Sequence, residues 1–255
     1  MAGKDHGCKV RNSLSMQSPE AFEPKFTFAF QPIVDTSTRE VLSYEALIRG
    51  PGNEPAYQIL KQVSSDRLFA FDQKVRAQAI DLAMRLQLKC HLNINFLPRS
   101  VETSPESILT TLEAAGRANL PAKRIVLEVV EGEIIHDHSR FTALINSYRG
   151  LGLKVAIDDF GAGYSGLNLL ADFQPDQVKL DMQLIRGIER HGPRQSIVRA
   201  IHGICFELGI DVIAEGVETQ EEYRWLTSQG IHLFQGYLFA KPAFEHFPTV
   251  HYPGA

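Results

Sequence analysis

From Phe26 onward, short apolar, β-branched runs alternate with longer stretches in which apolar residues return every three or four positions. Runs of the first kind read as strands and stretches of the second as helices. The pattern predicts strands at 26–34, 41–48, 91–96, 124–130, 154–159, 177–181, 211–215 and 231–235. Helices are predicted over 66–87, 105–118, 137–150, 193–208 and 219–228, the last opened by a capping box of Thr219 and Glu222. Within 193–208, the helical spacing of Ile197, Ile201, Ile204 and Leu208 marks a core face.

Strand followed by helix, repeated, favours a mainly parallel sheet. The first two strands are joined only by the polar stretch Asp35-Thr36-Ser37-Thr38-Arg39-Glu40, which is too short for a crossover helix, so they pair antiparallel. The expected fold is therefore α/β, a TIM-like (β/α)8 barrel with an antiparallel first strand and its chemistry at the carboxyl ends of the strands. Residues 1–24, polar and carrying Pro19 and Pro24, read as a flexible N-terminal tail, and 25–255 as one barrel domain.

Composition narrows the function classes. At 255 residues and 44% hydrophobic content the chain can bury a large core. A net charge of −4 with no basic stripe excludes a polynucleotide partner. Cys8, Cys90 and Cys205 show neither CxxC spacing nor an even count, which argues against a disulfide framework or zinc ribbon and for a reducing compartment. No apolar run reaches the roughly 18 residues of a membrane span, and Met1 to Ser18 lacks the apolar region of a signal peptide. A cytoplasmic protein without a membrane partner is expected.

Acidic residues sit where the apolar runs end: Glu45, Glu128, Asp158, Asp159 and Glu215, joined by Asn95, Lys179 and Gln235. Each alone reads as a cap or turn residue, but a barrel gathers all of them into one ring. Collecting so much negative charge costs several kcal/mol per ion unless cations offset it, and a pair of divalent metals is the natural offset. Hard oxygen donors without clustered His or Cys ligands suit Mg²⁺ or Mn²⁺ rather than zinc; His91, His136, His138, His202 and His232 are scattered. One carboxylate of the Asp158-Asp159 pair could bridge two ions, given a bend that Phe160-Gly161 could supply. Lys179 is suited to hold the attacking water and to offset phosphoryl charge. Arg49, four residues beyond Glu45, is suited to clamp a phosphate oxygen.

One competing motif is present. Gly161-Ala162-Gly163-Tyr164-Ser165-Gly166 matches GxGxxG after an apolar strand, with Asp181 near the position of a ribose-binding acid. Two carboxylates immediately upstream repel a pyrophosphate, and the Pro175-interrupted connection to Gln177 is too short for a full dinucleotide-binding helix. The glycines read better as a compact, mobile loop beside the acidic rim.

These segments resemble a known family. Tyr44-Glu45-Ala46-Leu47-Ile48-Arg49-Gly50, Phe30-Gln31-Pro32-Ile33-Val34, Asn95 to Arg99, Glu128 with Glu131, Asp158 to Ser165, Val178 to Asp181, Ala214 to Thr219 and Gln235 to Pro242 together resemble the EAL-domain cyclic di-GMP phosphodiesterases over residues 26–250. The resemblance implies hydrolysis of cyclic di-GMP to linear pGpG by two-metal activation of water, with Mg²⁺ or Mn²⁺. Ca²⁺ is expected to bind without supporting catalysis. It implies that Glu45, Asn95, Glu128 and Asp158 hold one metal, with Asp158 bridging and Asp159 on the second. Glu45, Lys179, Glu215 and Gln235 form the implied catalytic group, Glu215 as an outer metal ligand or as a proton acceptor. Gln31, Leu47, Arg49, Asp159, Glu218, Gln235 and Pro242 are the implied substrate contacts. A homodimer is implied as well, coupled to the site through a loop that includes Phe160, Gly161 and Gly163, with Glu131 as its anchor. Ala162 and Leu97 depart from the Thr and Ser that the family often has there, and neither is a ligand. A catalytically silent cyclic di-GMP receptor on the same barrel is the alternative.

Overall fold

A computed structural model describes residues 24–97, 107–130, 138–163 and 166–254. Strands β1 (Thr27–Asp35) and β2 (Glu40–Arg49) pair antiparallel, from Thr27 opposite Arg49 to Asp35 opposite Glu40. Their connection closes on itself. Asp35 Oδ1 accepts from the Ser37 amide at 2.8 Å and the Ser37 hydroxyl at 2.6 Å, and Arg39 takes a left-handed φ of 57°. β3 (His91–Asn95), β4 (Ile125–Val130), β5 (Lys154–Phe160), β6 (Gln177–Leu180), β7 (Asp211–Ala214) and β8 (Leu233–Phe234) follow in parallel order from β2. β8 pairs antiparallel with Val34 and Asp35 of β1, which closes an eight-stranded barrel. β9 (Ala243–Phe244) adds to the same edge of β1 at Ala29 and Phe30. The expected antiparallel start to the barrel is present.

Around the barrel lie α1 (Ala56–Leu60), α2 (Leu68–Arg85), α3 (Ser107–Arg117), α4 (His138–Gly150), α5 (Gly166–Phe173), α6 (Met182–Ile185), α7 (Gly192–Leu208) and α8 (Gln220–Ser228). Outward residues of the strands, among them Leu92, Ile94, Leu127, Val155, Ile157 and Val178, are buried with Ala79, Ile80 and Ala83 of α2 in the main core. A second, smaller cluster of Ile33, Ile213 and Leu233 forms apart from it. β1 has no crossover helix of its own. The C-terminal segment fills that place: Phe247 stacks on Tyr44 at 4.2 Å and meets Phe30 edge-on at 5.0 Å. The Arg39 guanidinium lies over the Tyr252 ring at 5.2 Å.

Several expectations need correction. In α7 the core face is Val198, Ile201 and Cys205, while Ile197, Ile204 and Leu208 are 47%, 39% and 39% exposed. They lie on the flank of the buried stripe. The last barrel strand is only Leu233–Phe234, and α1, α5, α6 and β9 are elements the pattern did not indicate. Pro24, at the end of the expected tail, is buried; residues 1–23, Glu131, Tyr164 and Ser165 lie outside the described residues. Among the described residues no helix is long and apolar enough to cross a membrane.

Candidate active and metal site

Inward side chains of a small parallel barrel stack in layers drawn from alternate strands. The register sets Glu45 opposite Asn93, Asn95 opposite Glu128, and Lys179 opposite Ile213, which in turn faces Leu233. Glu45, Glu128, Lys179 and Gln235 are all buried, none more than 6% exposed. Gln31 lies directly opposite Glu45 across the β1–β2 pair.

Lys179 occupies the middle of this arrangement. Its Nζ lies 2.7 Å from Glu215 Oε1, 2.9 Å from Glu128 Oε1, 2.9 Å from Asp158 Oδ1 and 3.2 Å from Glu45 Oε2. Gln235 Nε2 donates to Glu45 Oε2 at 2.7 Å and approaches Gln31 Oε1 at 3.5 Å. Asn95 Nδ2 donates to Glu45 Oε1 at 3.3 Å. Asn93, which the sequence reading passed over, is fully buried and donates from Nδ2 to Glu128 Oε1 at 2.8 Å. Its signal was available: Asn93 and Asn95 are two apart on a strand and so share a face.

The adjacent aspartates converge through a local break in β5. Asp159 itself adopts φ 53°, and the pairing with β6 shifts register between Ile157 and Phe160. The bend therefore falls at Asp159, not at Phe160-Gly161, and Phe160 packs into the core at 2% exposure. Gly161 holds φ 97°, a backbone conformation that disfavours any side chain, and an added Cβ would also displace the Leu184 methyl 2.4 Å away.

The charges strain against one another. Burial, with Glu45 and Asp158 adding repulsion against the pull of Lys179, holds the Glu128 carboxyl well above the usual carboxylate range. Glu215 is pushed up to about 8 by burial together with Asp158 and Glu45, against Lys179. Burial, Asp158 and Asp181 push Asp159 up to about 6. Burial opposes the Lys179 ammonium, yet Asp158, Glu128, Glu215 and Glu45 together hold it well above the usual lysine range. Five carboxylates facing one ammonium form a strong cation trap.

The donor set fits divalent metal. Ligand oxygens of Glu45, Glu128 and Asp158 lie within 4.8 Å of one another, as do those of Asp158, Asp159 and Glu215. Asp158 belongs to both groups, the arrangement a bridging carboxylate requires. Glu128 Oε2 is buried with no hydrogen-bond partner, a costly state that a cation would relieve. All of these donors are hard oxygens, which suit Mg²⁺ or Mn²⁺ and also accept Ca²⁺.

A cleft of about 300 Å³ opens onto Glu45, Asp158, Asp159, Lys179 and Glu215, bounded also by Met182, Gly216, Glu218, Gly236 and Tyr237, with Glu128 beneath its lining. Tyr237 is 53% exposed at its edge and carries the Lys241 ammonium over its ring at 5.4 Å. Gly236 admits no Cβ, which would meet Val217 O at 2.0 Å. Glu218 is already paired, its Oε2 2.7 Å from Arg186 Nη1. Leu47 and Arg49 instead line a neighbouring apolar cavity of about 320 Å³ with Asn95, and Arg49 Nη1 donates to Ile48 O at 2.8 Å. Pro242 is half-buried beside Lys241 and does not line the acidic cleft.

Comparison with known proteins agrees with this geometry. The EAL domain family matches residues 17–242. The blue light- and temperature-regulated antirepressor BluF of Escherichia coli is 37% identical over 227 residues, 89% of this chain and 56% of its own length. Cyclic di-GMP phosphodiesterase PdeR of the same organism is 38% identical over 151 residues, 57% of this chain and 23% of its own. The chain thus spans about half or less of the length of these curated relatives. Among solved structures, a standalone EAL protein of Vibrio cholerae O395 in a c-di-GMP-bound form is 47% identical with a TM-score of 0.87, over 90% of this chain and 97% of that one. Klebsiella pneumoniae BlrP1 in complex with manganese and cyclic di-GMP is 39% identical with a TM-score of 0.85, over 91% of this chain and 60% of that one. With the family matched across most of its residues and the same barrel in both solved relatives, this chain belongs to the EAL domain family.

Proposed function

We propose that the protein is a metal-dependent phosphodiesterase that hydrolyses cyclic di-GMP to linear pGpG. The observation that carries this reading is the convergence of Glu45, Glu128, Asp158, Asp159 and Glu215 around Lys179, with Asp158 shared between two potential ligand groups. Relatives named for this activity, and solved relatives that hold cyclic di-GMP with or without manganese, support it.

When bound, two divalent cations supply Lewis acidity, which eases ionisation of water and offsets charge on the phosphoryl oxygens. Glu45, Asn95, Glu128 and Asp158 would hold one cation, and Asp158 with Asp159 the other. Lys179, relieved of balancing the carboxylates alone, donates a hydrogen bond to the attacking water and faces the charge that grows on the phosphoryl group. Glu215, which borders the cleft beside Lys179, takes the proton from that water. Gln235 fixes Glu45 and orients the water from the other side. Gln31 and Asp159 border the cleft and meet a phosphate or a guanine edge. Glu218 also borders the cleft, while Leu47 and Arg49 line the neighbouring cavity and Pro242 lies outside both, so contact of Arg49 and Glu218 with substrate requires release from Ile48 and Arg186.

Partners follow from the same reading: cyclic di-GMP as substrate and a second copy of the chain, coupled through the Asp159–Gly163 turn. The exposed Ile197, Ile204 and Leu208 supply apolar area for such contact. The name of BluF, a regulator rather than a hydrolase, favours one alternative, a receptor that binds cyclic di-GMP without cleaving it. Chromatography of cyclic di-GMP incubated with the purified protein and Mg²⁺, Mn²⁺ or Ca²⁺ decides between them. Formation of pGpG with Mg²⁺ or Mn²⁺ but not Ca²⁺ is expected; binding without any pGpG under all three ions establishes the receptor.

A further inference from the structure

We propose that Asn93 is a positioning residue for Glu128: its amide turns the carboxylate so that Oε2 faces the cation site, and it thereby sets divalent-cation affinity without being a ligand. The inference rests on the cation-binding reading above and extends it to a residue which that reading leaves without a role.

Asn93 and Glu128 are both completely buried. Asn93 Nδ2 donates to Glu128 Oε1 at 2.8 Å, and Lys179 Nζ reaches the same oxygen at 2.9 Å. Two donors thus converge on one oxygen while Oε2, equally buried, has no hydrogen-bond partner. A carboxylate held this way cannot rotate without losing both donors at once. Glu128 offers a carboxylate oxygen to the group formed with Glu45 and Asp158, and Oε2 is the one that no donor holds.

The chemical type of the donor matters. A lysine at position 93 would add a second buried positive charge and repel an incoming cation, whereas a neutral amide orients the carboxylate and leaves the charge of the site unchanged. Packing alone does not account for the residue. Asn93 Oδ1 is itself buried with no partner, a desolvation cost that leucine of similar size would avoid. Ser43 Oγ, also in the barrel interior, is likewise buried and unpartnered, and it makes no hydrogen bond to a carboxylate. It serves as the control.

The test uses the full chain, stripped of metal, with Mn²⁺ titrated by calorimetry and by paramagnetic resonance of the free ion. Asn93→Leu and Asn93→Ala are expected to weaken Mn²⁺ binding by about 10–100-fold, while Ser43→Ala stays within about two-fold of the parent. At saturating Mn²⁺ the KM for cyclic di-GMP of Asn93→Ala is expected to match the parent. The metal-free melting temperature of Asn93→Leu is expected to equal or exceed it. Folded Asn93 variants that bind Mn²⁺ as tightly as the parent overturn the proposal, and so does failure of both variants to fold, which makes the residue structural. A parent chain that binds no Mn²⁺ instead removes the cation reading itself, an outcome distinct from either.

Discussion

Lys179 Nζ lies 2.7 Å from Glu215 Oε1, the shortest of its four carboxylate contacts. This lysine is the charge that lets the metal-free barrel fold around its acids. Breaking a buried ion pair from one side costs about 3–5 kcal/mol because the partner charge stays behind. Lys179→Met should lower the metal-free melting temperature, recover more of it with Mn²⁺ than the parent gains, and abolish hydrolysis. Calorimetric scans with and without Mn²⁺ check this; equal metal-free stability would count against it.

Glu128→Gln should act in the opposite sense on stability. It removes one of several crowded, buried negative charges and keeps the shape, so the metal-free protein should melt higher, while Mn²⁺ affinity and turnover should fall by on the order of 100-fold. Chemical denaturation beside a metal titration reads both. A variant that is less stable and still active contradicts the assignment of Glu128 to the cation.

Stability without metal should decline with rising pH. Asp159 at about 6 and Glu215 at about 8 both bind protons more tightly folded than unfolded. Such groups give their full contribution below the unfolded value near 4 and lose it as pH rises through the folded value. Metal-free melting temperatures should therefore fall between about pH 5 and about pH 9. Mn²⁺ affinity should climb over the same window, since the cation displaces those protons. Affinity that is flat with pH would refute this.

Glu222 should matter for the barrel and not for the cations. Burial raises the proton affinity of this carboxylate, but the amides of Gly187, Glu218 and Thr219 donate to it and hold its pKa below the usual range. Its contribution is present above the unfolded value and is lost as pH falls through the folded one. Glu222→Ala should cost about 2–3 kcal/mol at neutral pH, less in acid, with Mn²⁺ affinity unchanged. Urea denaturation at two pH values, with a Mn²⁺ titration, measures all three.

Much of the site was readable before any coordinates because strand ends are where a barrel displays its chemistry. Glu128, Asp158 and Lys179 lie within two residues of their strand ends and Glu45 in the middle of β2, yet all four converge as a barrel requires. What escaped the reading did so for physical reasons. Asn93 lies one layer deeper than the strand ends, so no end-of-run signal marks it. Ile197, Ile204 and Leu208 share helical spacing with buried Ile201, but spacing does not say which side of a stripe the barrel covers; Val198 and Cys205 do. α6 and β9 span only about one period of their patterns, too little for a repeat to show. The bend at Asp159 depends on a left-handed backbone at a non-glycine residue, a choice imposed by neighbours rather than by local sequence.

The hydrogen bond from Gln235 to Glu45 spans 190 residues of chain, and the contact of Gln235 with Gln31 spans 204. Both exist only once β8 has docked on β1. Ring closure is a long-range event with a high entropic threshold. Partly folded forms consequently present their acids singly, to solvent, as weak and separate sites. Divalent ions then act as a check on completion, rewarding only those molecules whose first and last barrel strands have met.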